Sequence, residues 1–452
     1  MRFERVLKRR HAVALAFGAM IGWSWVLLSG IWIERAGAVG VVIAFLATGV
    51  AMILIALTYA ELASAMPRVG GEHVYAERAF GRAISFICSW GILLGYVSVI
   101  AFEVVAFPYA LSYLFPIINQ GHLWQVAGWD IYLGQVAVGI GGMVAITLLN
   151  VRGLATAARV QALVTAVIIL AGVALLVGAG RSGVVEHFAP AFNGGLAGIM
   201  GVVVMLPLMF LGFDIIPQAA EEIDLEPRKI GMMIVVSIAI GVLFYTAVVV
   251  AVAFVLDGDA RAAAELPTAH AAAVAFDSPE AGTLLVCAGL AGIVTSWNGF
   301  LVGASRLSYA LTAAGLLPRW LIASDRDETA PRRILWTLCL LCCFAPWFGR
   351  PILVWLVDAG SVGVIVGYAI VALSFLVLRQ REPAMPRPYR VPWGPFVGTS
   401  AFILALAIGS LYLPWSPSAL VWPQEWLICA VWALAGFALY NNATSSRTAS
   451  QP

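Results

Sequence analysis

Phe17-Gly18-Ala19-Met20-Ile21-Gly22 interrupts the first apolar run of this chain, and Phe210-Leu211-Gly212-Phe213-Asp214, followed by Pro217, interrupts the sixth. Both place glycine, and then polar or helix-breaking residues, where a bilayer would want unbroken helix. Backbone inside a membrane has no water to satisfy it, so a break survives only where it lines a cavity or is buried in protein. One break in each half of a chain points to a site near the bilayer midplane, as in secondary transporters.

The rest of the sequence is what a bilayer demands. Of 452 residues, 62% are hydrophobic and 11% charged, with a mean hydropathy of +0.94. A soluble domain carries about 25% charged residues. Spanning helices need about 20 apolar residues, and twelve such runs are expected, near 12–33, 39–65, 84–114, 131–150, 157–179, 196–220, 230–256, 280–313, 333–349, 352–378, 395–413 and 423–441. The first run has no small-residue cleavage site after it and reads as a retained helix, not a signal peptide. With both termini cytoplasmic, all but four of the 26 basic residues fall in inner segments; the four are Arg35, Arg181, Arg261 and Arg350. That sorting obeys the positive-inside rule and supports the count. The basic residues read as topology signals, with phospholipid or nucleic-acid binding by them a remote alternative; the partners expected are membrane lipid and no nucleic acid. The six cysteines lie in apolar stretches and read as small buried hydrophobes.

These features describe an all-α integral membrane protein with a single transmembrane domain, residues 1–452. A first five-helix unit covers 1–180 and a second covers 196–379, each opening with a broken helix; helices eleven and twelve, 395–441, lie outside. An enzyme would gather His, Asp, Cys or Ser within catalytic reach, yet the five histidines (His11, His73, His122, His187, His270) are scattered over helix ends and loops. A channel would show a symmetric filter or a ring of like charges, and none is visible. The expectation is a solute transporter and not an enzyme.

The motifs, taken in order, resemble the amino acid–polyamine–organocation transporters, which have the leucine-transporter-type fold of two inverted repeats. Gly18-Ala19-Met20-Ile21-Gly22 is similar to that family's first-helix glycine motif. Tyr59-Ala60-Glu61-Leu62 through Pro67-Arg68-Val69-Gly70-Gly71-Glu72-His73-Val74-Tyr75 resembles the end of helix two and its loop. Gly212-Phe213-Asp214 with Ala220-Glu221-Glu222 resembles the broken sixth helix, and Ala304-Ser305-Arg306-Leu307 the end of helix eight. The resemblance runs from helix one to about helix ten. It implies a permease of the cell inner membrane that moves amino acids by alternating access. Backbone N–H groups freed at Gly18–Gly22, ahead of a half-helix with its positive dipole end, suit a carboxylate. Carbonyls freed at Leu211–Phe213 suit an ammonium. The expected substrate site is therefore Gly18, Ala19, Met20, Ile21, Gly22, Trp23 and Ser24 with Phe210, Leu211, Gly212, Phe213 and Asp214, Phe213 acting as the gate. Glu221 and Glu222 are expected to pair with inner-face arginines.

Three departures from the family bear on mechanism. Trp23-Ser24-Trp25 follows Gly22 where another glycine is usual, so two indoles either narrow the pocket, stack on substrate or face lipid. Glu103 sits deep in the apolar third helix, where a carboxylate is a functional candidate for an amine, a proton or a cation. The helix-five lysine of proton-coupled relatives is absent; its position falls near Ile168. Thr295 and Ser296, with the Gly18 and Ile21 carbonyls, offer oxygen ligands for Na⁺. Sodium-coupled symport is thus expected ahead of proton coupling. An exchanger, or a proton-coupled amine or polyamine permease, is the alternative. Apart from Na⁺ or H⁺ as coupling ion, no cofactor or metal is expected, and the partner is a small-molecule amino acid or amine.

Overall fold

The computed structural model describes residues 4–322, 330–416 and 419–448. In chain order, α1 (Arg9–Met20), α2 (Ser24–Leu27) and α3 (Ser29–Ala36) form the interrupted first helix. α4 (Ala38–Ala65), the loop helix α5 (Glu72–Phe80) and α6 (Arg82–Ser112) follow. A hairpin of β1 (His122–Val126) and β2 (Trp129–Tyr132) leads to α7 (Leu133–Val151) and α8 (Leu154–Ser182). The second broken helix is α9 (Gly195–Val203), α10 (Leu206–Met209) and α11 (Ile215–Gln218). Then come α12 (Pro227–Val255), the short α13 (Gly258–Ala263) and α14 (Pro267–Ala275), and α15 (Pro279–Ala313). The chain closes with α16 (Arg332–Cys342), α17 (Pro351–Arg381), α18 (Gly394–Ser410) and α19 (Gln424–Thr448).

Eight of these are long and apolar enough to cross a membrane: α4, α6, α7, α8, α12, α15, α17 and the Gln424–Ala443 part of α19. The other four expected spans hold interrupted or shorter helices. Pro227, Pro279 and Pro351 each open a long helix, where a missing N–H costs nothing and φ is already helical. The hairpin was not foreseen in an all-helical reading, and it shortens the fourth expected span to begin at Leu133. Its turn, Ala127-Gly128, has positive φ at both positions, the geometry that matches the twist of paired strands.

The molecule is centred on α15, whose most apolar window is 83% buried, whereas the α19 window is 6% buried. Between α6 and α17 the side chains nearly vanish. Gly91 and Gly95 face Gly363 and Gly360, and a Cβ on Gly91 would stand 2.6 Å from the Gly363 carbonyl oxygen. Small residues let two backbones approach where lipid supplies no hydrophobic drive between helices. At one end of the bundle, Glu222 and Arg306 form a buried ion pair at 2.8 Å. The Val6 and Leu7 amides donate to the Glu222 carbonyl, each at 2.9 Å. A second buried carboxylate, Glu61, accepts from Arg379 at 2.8 and 2.5 Å and lies 3.0 Å from Arg387.

Candidate substrate site

The first break is later than the sequence suggests. Helix α1 runs unbroken through Gly18 and Ala19 to Met20, with the Ile21 amide still bonded to the Phe17 carbonyl at 3.0 Å. Only Ile21, Gly22 and Trp23 leave the helix. Gly18 is helical because it is wedged: a Cβ there would lie 2.6 Å from Gln161 Nε2 and 2.7 Å from Thr165 Oγ1. Its role is close approach to α8 and α15, so the unwinding expected at Gly18 is displaced by one turn. Among the described residues, the Gly22 and Trp23 amides donate to no backbone carbonyl or side chain.

Polar groups converge on that break. The Tyr245 hydroxyl donates to the Met20 carbonyl at 2.9 Å and lies 3.0 Å from Ser24 Oγ. A Cβ on Gly22 would sit 3.3 Å from Glu103 Oε1 and 3.7 Å from Ser296 Oγ. Glu103 Oε1 and Ser296 Oγ thus face the same point of the break. Glu103 is 2% exposed, and its Oε2 has no hydrogen-bond partner. An unpaired oxygen on a buried acid is costly unless something comes to meet it. Trp23 and Trp25 are both buried, against Gly289 of α15 and Phe244 of α12, so neither faces lipid.

The second break is built differently. Gly212 has φ +128°, a conformation side chains avoid, and a Cβ there would fall 2.9 Å from the Ala19 Cβ and 3.1 Å from the Met20 nitrogen. The second break therefore packs on the last turn of α1, immediately ahead of the first. Asp214 organises this one: its carboxylate accepts the Gly212 amide at 3.0 Å and the Tyr96 hydroxyl at 2.9 Å. The Gly212 and Phe213 carbonyls accept from the Ile215 and Ile216 amides at 3.2 and 3.3 Å. Those two are thus spent on a turn, and the acceptors without an amide donor among the described residues are Phe210 and Leu211. Phe213 is fully buried, its ring centroid 5.3 Å from Tyr59 and 5.5 Å from Tyr368.

Thr295 and Ser296 lie on α15 within reach of the first break, but not as a free pair. Thr295 Oγ1 donates back to the Gly292 carbonyl at 2.9 Å, the usual fate of a helical hydroxyl. Their surroundings hold a network that sequence reading did not assign. Asn150 donates to Asn298 and Asn298 to Gln161, each at 2.8 Å, and Gln161 donates to the Thr295 carbonyl at 3.0 Å. Tyr96 and Tyr245 were also missed; the signal available was a hydroxyl inside an apolar run. Of the two acids that follow the second break, Glu222 pairs with Arg306, and Glu221 makes no ion pair among the described residues. Among those residues no cluster of His, Cys, Asp or Glu is arranged to hold a metal ion.

A sequence profile described as Amino acid permease matches residues 7–445. The chain belongs to the amino acid permease family. It is a multi-pass membrane transporter of the amino acid–polyamine–organocation superfamily, not an enzyme. The permease is 26% identical to the branched-chain amino acid permease BcaP of Lactococcus lactis subsp. cremoris, over 97% of this chain and 94% of the relative. It is 24% identical to the lysine-specific permease LysP of Escherichia coli, over 90% and 86%. With the aspartate-proton symporter of Bacillus subtilis it shares 24% identity, over 90% and 79%.

Proposed function

We propose that this permease carries an amino acid across the cell inner membrane by alternating access, with both termini cytoplasmic and two inverted five-helix repeats hinged at the two breaks. The observation that carries the proposal is the packing of the second break on the end of α1. Unspent amides at Gly22 and Trp23 belong to the first break and unspent carbonyls at Phe210 and Leu211 to the second, whose Gly212 packs on Ala19 and Met20 just ahead of the first. One end of a zwitterion needs donors and the other needs acceptors, so the pair suits the backbone common to amino acids. Phe213 closes the site from the Tyr59–Tyr368 side. The relatives act on branched-chain amino acids, lysine and aspartate by name, which fits recognition of the shared backbone with side-chain choice made elsewhere.

Coupling is to a cation. Sodium is the first reading, held by Ser296, Thr295 and the Gly18 and Ile21 carbonyls beside Glu103. The proton is the second, favoured by the back-bonded Thr295 hydroxyl and by the unpartnered Glu103 oxygen. Uptake of labelled amino acids into proteoliposomes, under a sodium gradient, a proton gradient or internal substrate alone, tests all three routes. Sodium-driven accumulation that Ser296→Ala abolishes supports the first reading. Proton-driven accumulation lost in Glu103→Gln supports the second. Uptake only into preloaded vesicles makes the permease an exchanger, and no uptake in any lane by folded protein overturns the proposal.

A further inference from the structure

A cavity lies away from the residues of the breaks. It is a groove of about 540 Å³ between α1 and α8, closed on one side by Ile240 of α12. Arg10 and Arg159 stand at its mouth, with His11 beside them. The Arg10 Nε donates to His11 Nε2 at 3.3 Å, and Arg159 donates to the Ala155 carbonyl at 3.2 Å and to Thr156 at 3.5 Å. Neither guanidinium forms an ion pair among the described residues. Below the mouth the wall turns apolar, through Phe17, Leu163, Ile169 and Ile240.

We propose that this groove binds an anionic glycerophospholipid, its phosphate between Arg10 and Arg159 and one acyl chain along α8. Charge and length both select that occupant. Two uncompensated guanidiniums at a membrane surface attract phosphate, and Arg offers it paired donors. From Arg159 to Ile169 a helix rises about 15 Å, half of a hydrocarbon core of about 30 Å, which is one leaflet. A free anion has no use for the apolar wall, and a zwitterionic lipid answers the two arginines only in part. The lipid lies against the half of the first helix that ends at the break, so its occupancy holds α1 to α8.

The test is thermal melting of the purified, detergent-solubilised permease with added phosphatidylglycerol, phosphatidylcholine or inorganic phosphate. Phosphatidylglycerol is expected to raise the midpoint by a few degrees in a saturable way, and the other two are not. Replacing Arg10→Gln and Arg159→Gln together is expected to weaken the apparent affinity about fivefold per arginine, with the lipid-free midpoint unchanged. Arg10→Lys with Arg159→Lys should keep part of the effect. Ala166→Trp fills the groove without touching charge and should abolish the shift. If the glutamine variant melts early without lipid, Ala166→Trp alone decides. An equal shift by phosphatidylcholine, an equal shift by inorganic phosphate, or an undiminished shift in Ala166→Trp overturns the proposal. Binding is read without transport, so its failure is distinct from failure of the permease reading.

Discussion

The two breaks use one device for opposite ends. At Ile21–Trp23 the chain leaves the helix and keeps the Gly22 and Trp23 amides unspent, with a buried acid bearing a free oxygen and a serine beside Gly22. At Phe210–Asp214 the chain leaves the helix and repays most of the loss at once, with Asp214, Tyr96 and two turn bonds. An interruption that stays unsatisfied is a place to bind; one that satisfies itself is a place to bend. The contact of Gly212 with Ala19 and Met20 makes each sensitive to the other.

The comparison predicts an ordered set of losses. Gly212→Ala should be the most damaging, with about 1–3 kcal/mol of backbone strain and about 1–3 kcal/mol of overpacking against Ala19. Melting of the purified variant measures it, with Gly22→Ala as the contrast, since Gly22 needs no unusual φ and should fold. Equal melting of the two variants would erase the distinction between the breaks. Asp214→Ala should come next, because the Gly212 amide and Tyr96 hydroxyl lose their acceptor at about 1–3 kcal/mol. Asp214→Asn should recover most of that midpoint. A self-satisfying second break is the wrong description if Asp214→Ala melts like the parent protein.

Smaller effects are expected at the first break, and in transport more than in stability. Glu103→Gln preserves shape and should leave melting alone while cutting driven uptake about tenfold, equivalent to about 1.4 kcal/mol. Unchanged accumulation with the gradient intact would remove Glu103 from coupling. Ser296→Ala loses one hydroxyl and should lower uptake about threefold, near the net worth of one hydrogen bond. If its effect exceeds that of Glu103→Gln, the serine contacts the coupling ion directly and the acid does not.

Membrane class, the positions of both breaks to within a turn and the helix-loop motifs were legible because each is a local pattern. Eight long apolar helices each overlap one expected interval, with ends no more than three residues from those expected. Gly18 shows where local pattern misleads: a glycine in an apolar run marks either a break or a close approach, and both look alike in one dimension. The network of Asn150, Asn298 and Gln161 was invisible for a related reason, since its members are up to 148 positions apart. The hairpin was hidden by expectation, as Ala127-Gly128 alone is a weak turn signal beside so much helix.

By itself, the sequence determined that this is a helical membrane protein with two interruptions and an acid within its third helix. Composition and spacing carry that much, because the bilayer penalises each exposed polar group independently of the others. Only the tertiary structure decided which freed backbone groups remain available. Tyr245 takes the Met20 carbonyl from 225 residues away, and Tyr96 caps Asp214 from 118 away. A break becomes a site only through what neighbouring helices leave unpaired, and that is a property of packing, not of order along the chain.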